Sequence, residues 1–162
     1  MVIGVGNEFR RDDGAGPQVV ARLRPRVPPG VELRVSDGDP ARLIEAWDGA
    51  ALAVVADTVR AVPAVPGQLH RLVLERDHLA LDPAVSSHGL GLGEAIGLAA
   101  VLGHLPEKLI VHTVEAGDVS VGGGLTPPVA AAIGALAEAV LGELSESGLV
   151  TWPHRNSSAT GQ

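Results

Sequence analysis

The chain has 162 residues, 46% of them hydrophobic, yet its only aromatic side chains are Phe9, Trp47 and Trp152, so the core must be packed from Val, Leu, Ile and Ala. Nineteen acidic against 12 basic residues give a formal charge of -7, which with so few stacking rings argues against nucleic acid and other anionic partners. The absence of Cys excludes disulfides, thiolate catalysis and Cys-type zinc sites, so any metal must be held by His and carboxylates.

In chain order, MVIGVG reads as a short buried strand, followed by a Gly/Asn turn and a helix over about 13–23, with Val19, Val20 and Leu23 on one face. Residues 31–36 alternate as a strand with Val31, Leu33 and Val35 on one side. DGDP is then a turn, with Asp39 placed to cap a helix over ARLIEAW. The continuous apolar run 51–58, ending in Asp57, has the pattern of a central strand covered on both faces. A proline-rich loop leads to a further strand over 68–75. The long connection DHLALDPAVSSHGLGLG precedes a helix over 91–102, and a last strand is expected over 108–114. Thr126, as N-cap, and Pro127 open a final helix whose Val129, Ile133, Leu136, Val140 and Leu144 share an apolar face and which should end near Ser147.

Strands alternating with helices predict an α/β fold: a three-layer αβα sandwich around a twisted, mostly parallel sheet of about five strands. One domain over 1–148 is expected, with a polar, disordered tail over 149–162 in which only Trp152 could dock. The start lacks the basic region and cleavage site of a signal peptide, and no apolar run reaches membrane length uninterrupted. The expectation is a soluble cytoplasmic protein with no membrane partner.

The stretch GVGNEFRRDDGAG poses the functional question, because glycines at a strand-to-helix turn suggest a phosphate whereas paired carboxylates suggest a cation. A dinucleotide fingerprint fails, since Phe9 stands where the third glycine belongs, and Asp12 and Asp13 would repel a pyrophosphate at the helix start. Capping is the plain alternative for Asp12 and Asp13, as acidic residues suit helix N-termini. Asp57 tilts the balance, because the carboxyl ends of neighbouring strands in an α/β sheet converge on one crevice. Of the six histidines, His70, His78, His104, His112 and His154 are most simply surface or satisfied residues. His88 lies at the end of the long connection among small residues that leave room for a ligand. Asp13, Asp57 and His88 would form an O/O/N set suited to Zn²⁺ or Ni²⁺ with coordination positions open for water or substrate. Ser86 and Ser87 beside His88 raise a serine hydrolase, but no G-x-S-x-G elbow occurs.

These segments resemble the hydrogenase maturation proteases. GVGNEFRRDDGAG is similar to that family's opening motif, VVADTV to the strand ending in its second acidic ligand, SSHGLGL to its histidine motif, and GGGLTPPV to the start of its last helix. The resemblance spans about 2–145. It implies an endopeptidase that removes the C-terminal extension of a [NiFe]-hydrogenase large-subunit precursor after nickel insertion, with Asp13, Asp57 and His88 as metal ligands and catalytic residues. Ni²⁺ would be supplied by the precursor, and Zn²⁺ or Cd²⁺ could take the site in vitro. Asp12 would cap or support its neighbour, and DGDP departs from the family's Asp-Gly-Gly segment at Asp39. The competing expectation is a non-catalytic checkpoint protein that senses a nickel-loaded partner without cutting it.

Overall fold

The computed structural model describes residues 1–78 and 91–148. The serines and histidine of SSHGLGL, Trp152 and the rest of the tail therefore lie outside the described residues. A five-stranded sheet has the order β2-β1-β3-β5-β4, formed by β1 (Val2–Val5), β2 (Leu33–Ser36), β3 (Leu52–Val59), β4 (Leu69–Glu75) and β5 (Lys108–Glu115). All pairings are parallel except β4 with β5. Helices α1 (Ala15–Leu23), α2 (Pro40–Trp47), α3 (Leu92–Leu102) and α4 (Pro127–Glu146) complete the α/β architecture expected from the sequence.

Strand alternation divides the core in two. Val2, Val54, Ala56, Ile110 and Val114 pack with α1 and α4, while Ile3, Val5, Ala53, Val55 and Val111 pack with α2 and α3. The sheet thus lies between two helical layers. By length and composition α4 could cross a membrane, but its face from Val129 to Leu144 is buried in the first of these clusters.

Several local expectations are refined. The helix expected from Asp13 begins instead with a 3-10 turn, Arg11–Gly14, and becomes α-helical at Ala15. Val35 does not share the burial of Val31 and Leu33: it is 54% exposed on edge strand β2, at a groove shared with Pro17 and Val20 of α1. Asp39 does cap α2, accepting from the Arg42 N–H at 2.9 Å. Thr126 occupies the N-cap position of α4, but its side chain makes no capping bond there.

Glycines allow α1 to start directly on the sheet. A Cβ at Gly16 would stand 2.2 Å from the Val5 carbonyl oxygen and 2.6 Å from that of Ala56, so only glycine lets the helix backbone touch β1 and β3 at once. On the same side of the sheet, Glu143 of α4 is buried yet ionically satisfied. It receives Arg71 of β4 through two bonds, 2.6 and 3.0 Å, and contacts His112 Nε2 of β5 at 2.9 Å. His70 contacts Glu115 and His104 contacts Asp48, so His70, His104 and His112 each have a partner, as expected.

Candidate active site

The strand order reverses between β1 and β3, and crevices at such switch points beyond the carboxyl ends of the strands are where α/β sheets bind ligands. The 3-10 turn after β1 carries Asp12 and Asp13 to this place, and β3 brings Asp57. Two adjacent aspartates take opposite roles there.

Asp12 is fully buried and serves the framework. Its Oδ2 accepts from the N–H groups of Gly117 and Asp118 at 2.8 and 2.9 Å and from the Thr126 hydroxyl at 2.9 Å, while Oδ1 accepts from the Thr126 N–H at 2.6 Å. Of the two roles expected for Asp12, capping or support of its neighbour, the first is corrected: it does not cap its own helix but organises the loop between β5 and α4. Its carbonyl oxygen also accepts from the Thr58 hydroxyl at 2.7 Å, tying the turn to the end of β3. Burial alone would raise the Asp12 pKa, but the bonds from Thr126, Asp118 and Gly117 prevail and hold it below the usual carboxylate range. A main-chain bridge between Arg10 and Gly122 fastens the same two loops a second time.

Asp13 is only partly buried. The turn that points Asp12 inward leaves Asp13 facing the crevice, where Oδ2 accepts from the Asn7 N–H at 3.0 Å. Gly6 has a φ of +134°, and a Cβ there would lie 1.8 Å from the Asp13 carbonyl oxygen, so this close return of the chain requires glycine. Asp57 is buried, and one of its oxygens accepts from the Thr58 N–H at 2.7 Å. Its pKa is pushed up to about 7, chiefly by burial and further by the charge of Asp13, against the pull of the Thr58 N–H. The structure therefore brings Asp13 and Asp57 within electrostatic reach of each other.

Each carboxylate commits one oxygen to a main-chain N–H and leaves the other without a hydrogen bond among the described residues. A hard or borderline divalent ion fits that pair, since it would neutralise two charges otherwise held together in a poorly solvated place. Among the described residues no group of three or more His, Cys, Asp or Glu gathers, and the third expected ligand, His88, lies outside them. Asp37 is not drawn into the site: it is exposed and pairs with Arg42 at 3.1 Å.

Sequence reasoning overlooked Thr113. It is the register partner of Asp57 across β3 and β5, and both are buried on the same face of the sheet. The two strands end level, Val59 opposite Glu115, but that register comes from the pairing of distant segments and leaves no local signal.

A family model described as hydrogenase maturation protease matches residues 17–143. The hydrogenase 2 maturation protease of Escherichia coli K12 is 31% identical over 155 residues, covering 94% of each chain. Among solved structures, the hydrogenase maturating endopeptidase HybD from E. coli superposes with a TM-score of 0.71 at 28% identity, covering 91% of this chain and 92% of that one. An endopeptidase from E. coli solved in solution gives 0.77 at 27% identity, covering 96% and 99%. A hydrogenase 2 maturation peptidase from the Thaumarchaeota archaeon SCGC_AB-539-E09 gives 0.66 at 27% identity, covering 92% and 97%.

Proposed function

The chain belongs to the hydrogenase maturation protease family, and we propose that it is the endopeptidase that trims the C-terminal extension from a [NiFe]-hydrogenase large-subunit precursor once nickel has been inserted. What supports this reading is a pair of half-used carboxylates, Asp13 on the turn after β1 and Asp57 on β3, at the switch point of the sheet and within electrostatic reach of each other. A carboxylate whose pKa is raised chiefly by burial, with a second carboxylate's charge adding to the rise, marks a place that gains from an incoming cation.

In this proposal the ion arrives with the client. Asp13 and Asp57 offer it oxygens and His88 an imidazole nitrogen, and Zn²⁺ or Cd²⁺ could occupy the same donors in vitro. Bound there, a divalent ion supplies Lewis-acid polarisation of water or of a carbonyl. The protein's own groups prepare that encounter: the Asn7 N–H orients Asp13, the Thr58 N–H orients Asp57, and the Asp12 clasp fixes the loops on either side. The free carboxylate oxygens can also accept a proton from attacking water. An incomplete ligand set explains selectivity, because a precursor without nickel lacks the coordination energy that docks the cleavage site. A cytoplasmic setting follows for an enzyme acting on a precursor that is still being assembled.

Purified protein incubated with nickel-loaded and nickel-free precursor tests the reading by mass spectrometry. Loss of the C-terminal segment from the loaded sample alone is expected, and Asp13→Ala, Asp57→Ala and His88→Ala should each fold yet abolish it. Loaded precursor that is bound but stays intact would replace the protease with the checkpoint protein.

A further inference from the structure

A cavity lies on the face of the sheet that carries α2 and α3, one strand away from Asp57. Thr113 stands beside Asp57 on β5, and His70 stands beside Thr113 on β4. Neighbouring strands lie about 4.8 Å apart, so these side chains are immediate neighbours. Val59, Leu72 and Val111 project from the same face and, with Thr113, line a cavity of about 450 Å³ that has Arg60 at its edge. That volume falls within the ~300–1,000 Å³ typical of ligand pockets.

Thr113 marks the cavity as more than a gap in packing. It is 1% exposed, yet its hydroxyl has no hydrogen-bond partner, whereas buried polar atoms in folded proteins are almost always bonded. Glu115, on the same strand, has both oxygens engaged, one by His70 Nε2 at 2.7 Å and one by the Val65 N–H at 2.6 Å. Thr113 thus lines a hollow one strand away from Asp57, where Val59, Leu72 and Val111 stand with Arg60, His70, Arg71 and Glu115.

We propose that this cavity is a peptide subsite, receiving aliphatic residues of the client chain next to the bond that is cut, with the Thr113 hydroxyl hydrogen-bonded to the client's main chain. The subsite rests on the protease reading above and extends it to substrate preference. Val59, Leu72 and Val111 select by shape and hydrophobicity, and Thr113 fixes the register of the extended peptide relative to Asp57.

The test uses full-length protein carrying ¹³C-labelled Val, Leu and Thr methyls, titrated with a synthetic peptide that spans the cleavage region of a hydrogenase precursor. Shifts should concentrate at Val59, Leu72, Val111 and Thr113. Thr113→Val should weaken peptide binding roughly 2- to 10-fold, the range for one net hydrogen bond, and Leu72→Trp should block binding with thermal melting retained. Absence of shifts, or shifts confined to Val20 and Val35 on the opposite face, would overturn the subsite. Unchanged affinity in Thr113→Val would remove its hydroxyl from the assignment. If the peptide docks in the cavity while the wild-type protein leaves nickel-loaded precursor whole, the protease reading fails and the binding subsite stands.

Discussion

Replacing Asp12 tests whether the framework under the crevice rests on one buried carboxylate. In Asp12→Ala, the main-chain N–H groups of Gly117, Asp118 and Thr126 lose their acceptor together, while the Thr126 hydroxyl can rotate to find another. An orphaned buried donor costs about 1–3 kcal/mol. Water entering the space left by the side chain would reduce each loss towards the lower figure, so a total of about 3–5 kcal/mol is expected. Asp12→Asn keeps the shape but turns an NH₂ towards at least one donor, for an expected cost of about 2–3 kcal/mol. Urea unfolding followed by circular dichroism reads this directly: with a slope of about 2 kcal/mol/M, the alanine variant should unfold near 2 M below wild type. The pH dependence supplies a second check. The folded-state pKa of Asp12 is depressed, so its stabilisation is complete above the unfolded value and fades as pH falls through the folded one. The gap between wild type and the asparagine variant should therefore begin to narrow as pH falls below about 4 and go on narrowing as pH falls through the folded-state value. An alanine variant within about 1 kcal/mol of wild type at pH 7 would refute the framework role.

Two further outcomes follow from the titrating groups. The pKa of His112 is lowered by burial in spite of Glu143, so the unfolded chain takes up its proton first on acidification, and stability should begin to fall as pH drops below about 6.5. His112→Gln should flatten that part of the stability profile in chemical denaturation, and an unaltered slope would count against it. For Asp57 the sign is reversed, because a folded pKa raised to about 7 makes ionisation destabilising as pH rises from the unfolded value to 7. In metal-free protein kept in chelator, Asp57→Asn should equal wild type near pH 3.5 and exceed it above pH 7 by at most roughly 4 kcal/mol, the equivalent of about three pH units. A variant less stable than wild type at pH 8 would show that the buried charge is compensated.

The order of elements was readable because it depends on local patterns. The apolar run ending at Asp57 announced a central strand, and the spacing from Val129 to Leu144 announced α4. Val35 shows the limit of such patterns: alternation places it on the correct face of β2, but only the sheet order reveals that this end of an edge strand opens onto a groove. For the same reason the helical capping residue Thr126 was identified by position and misjudged in its bonding. Its donors are taken by Asp12, 114 residues earlier, and no window of sequence contains both. The chemistry of the crevice divides along the same line. Asp13 and Asp57 could be proposed as a pair from strand ends, whereas Thr113 became visible only through the register of β3 and β5.

The neighbouring aspartates show why a motif can name residues without assigning their work. Two carboxylates one position apart on a tight turn cannot both face the same way, so the 3-10 turn sends Asp12 into the interior and leaves Asp13 at the crevice. Had both capped the helix, all their oxygens would have been consumed by main-chain donors, and neither would have been available to an incoming ion. Instead the four donors that saturate Asp12 come from the segment entering α4, which stabilises its charge fully and makes it unreactive. Asp13 keeps a free oxygen because the turn's rigidity is provided by its neighbour. A site in which one aspartate is saturated so that the next can stay open should tolerate Asp13→Glu, which lengthens an exposed reach, far better than Asp12→Glu, which would force an extra methylene against a fully bonded backbone.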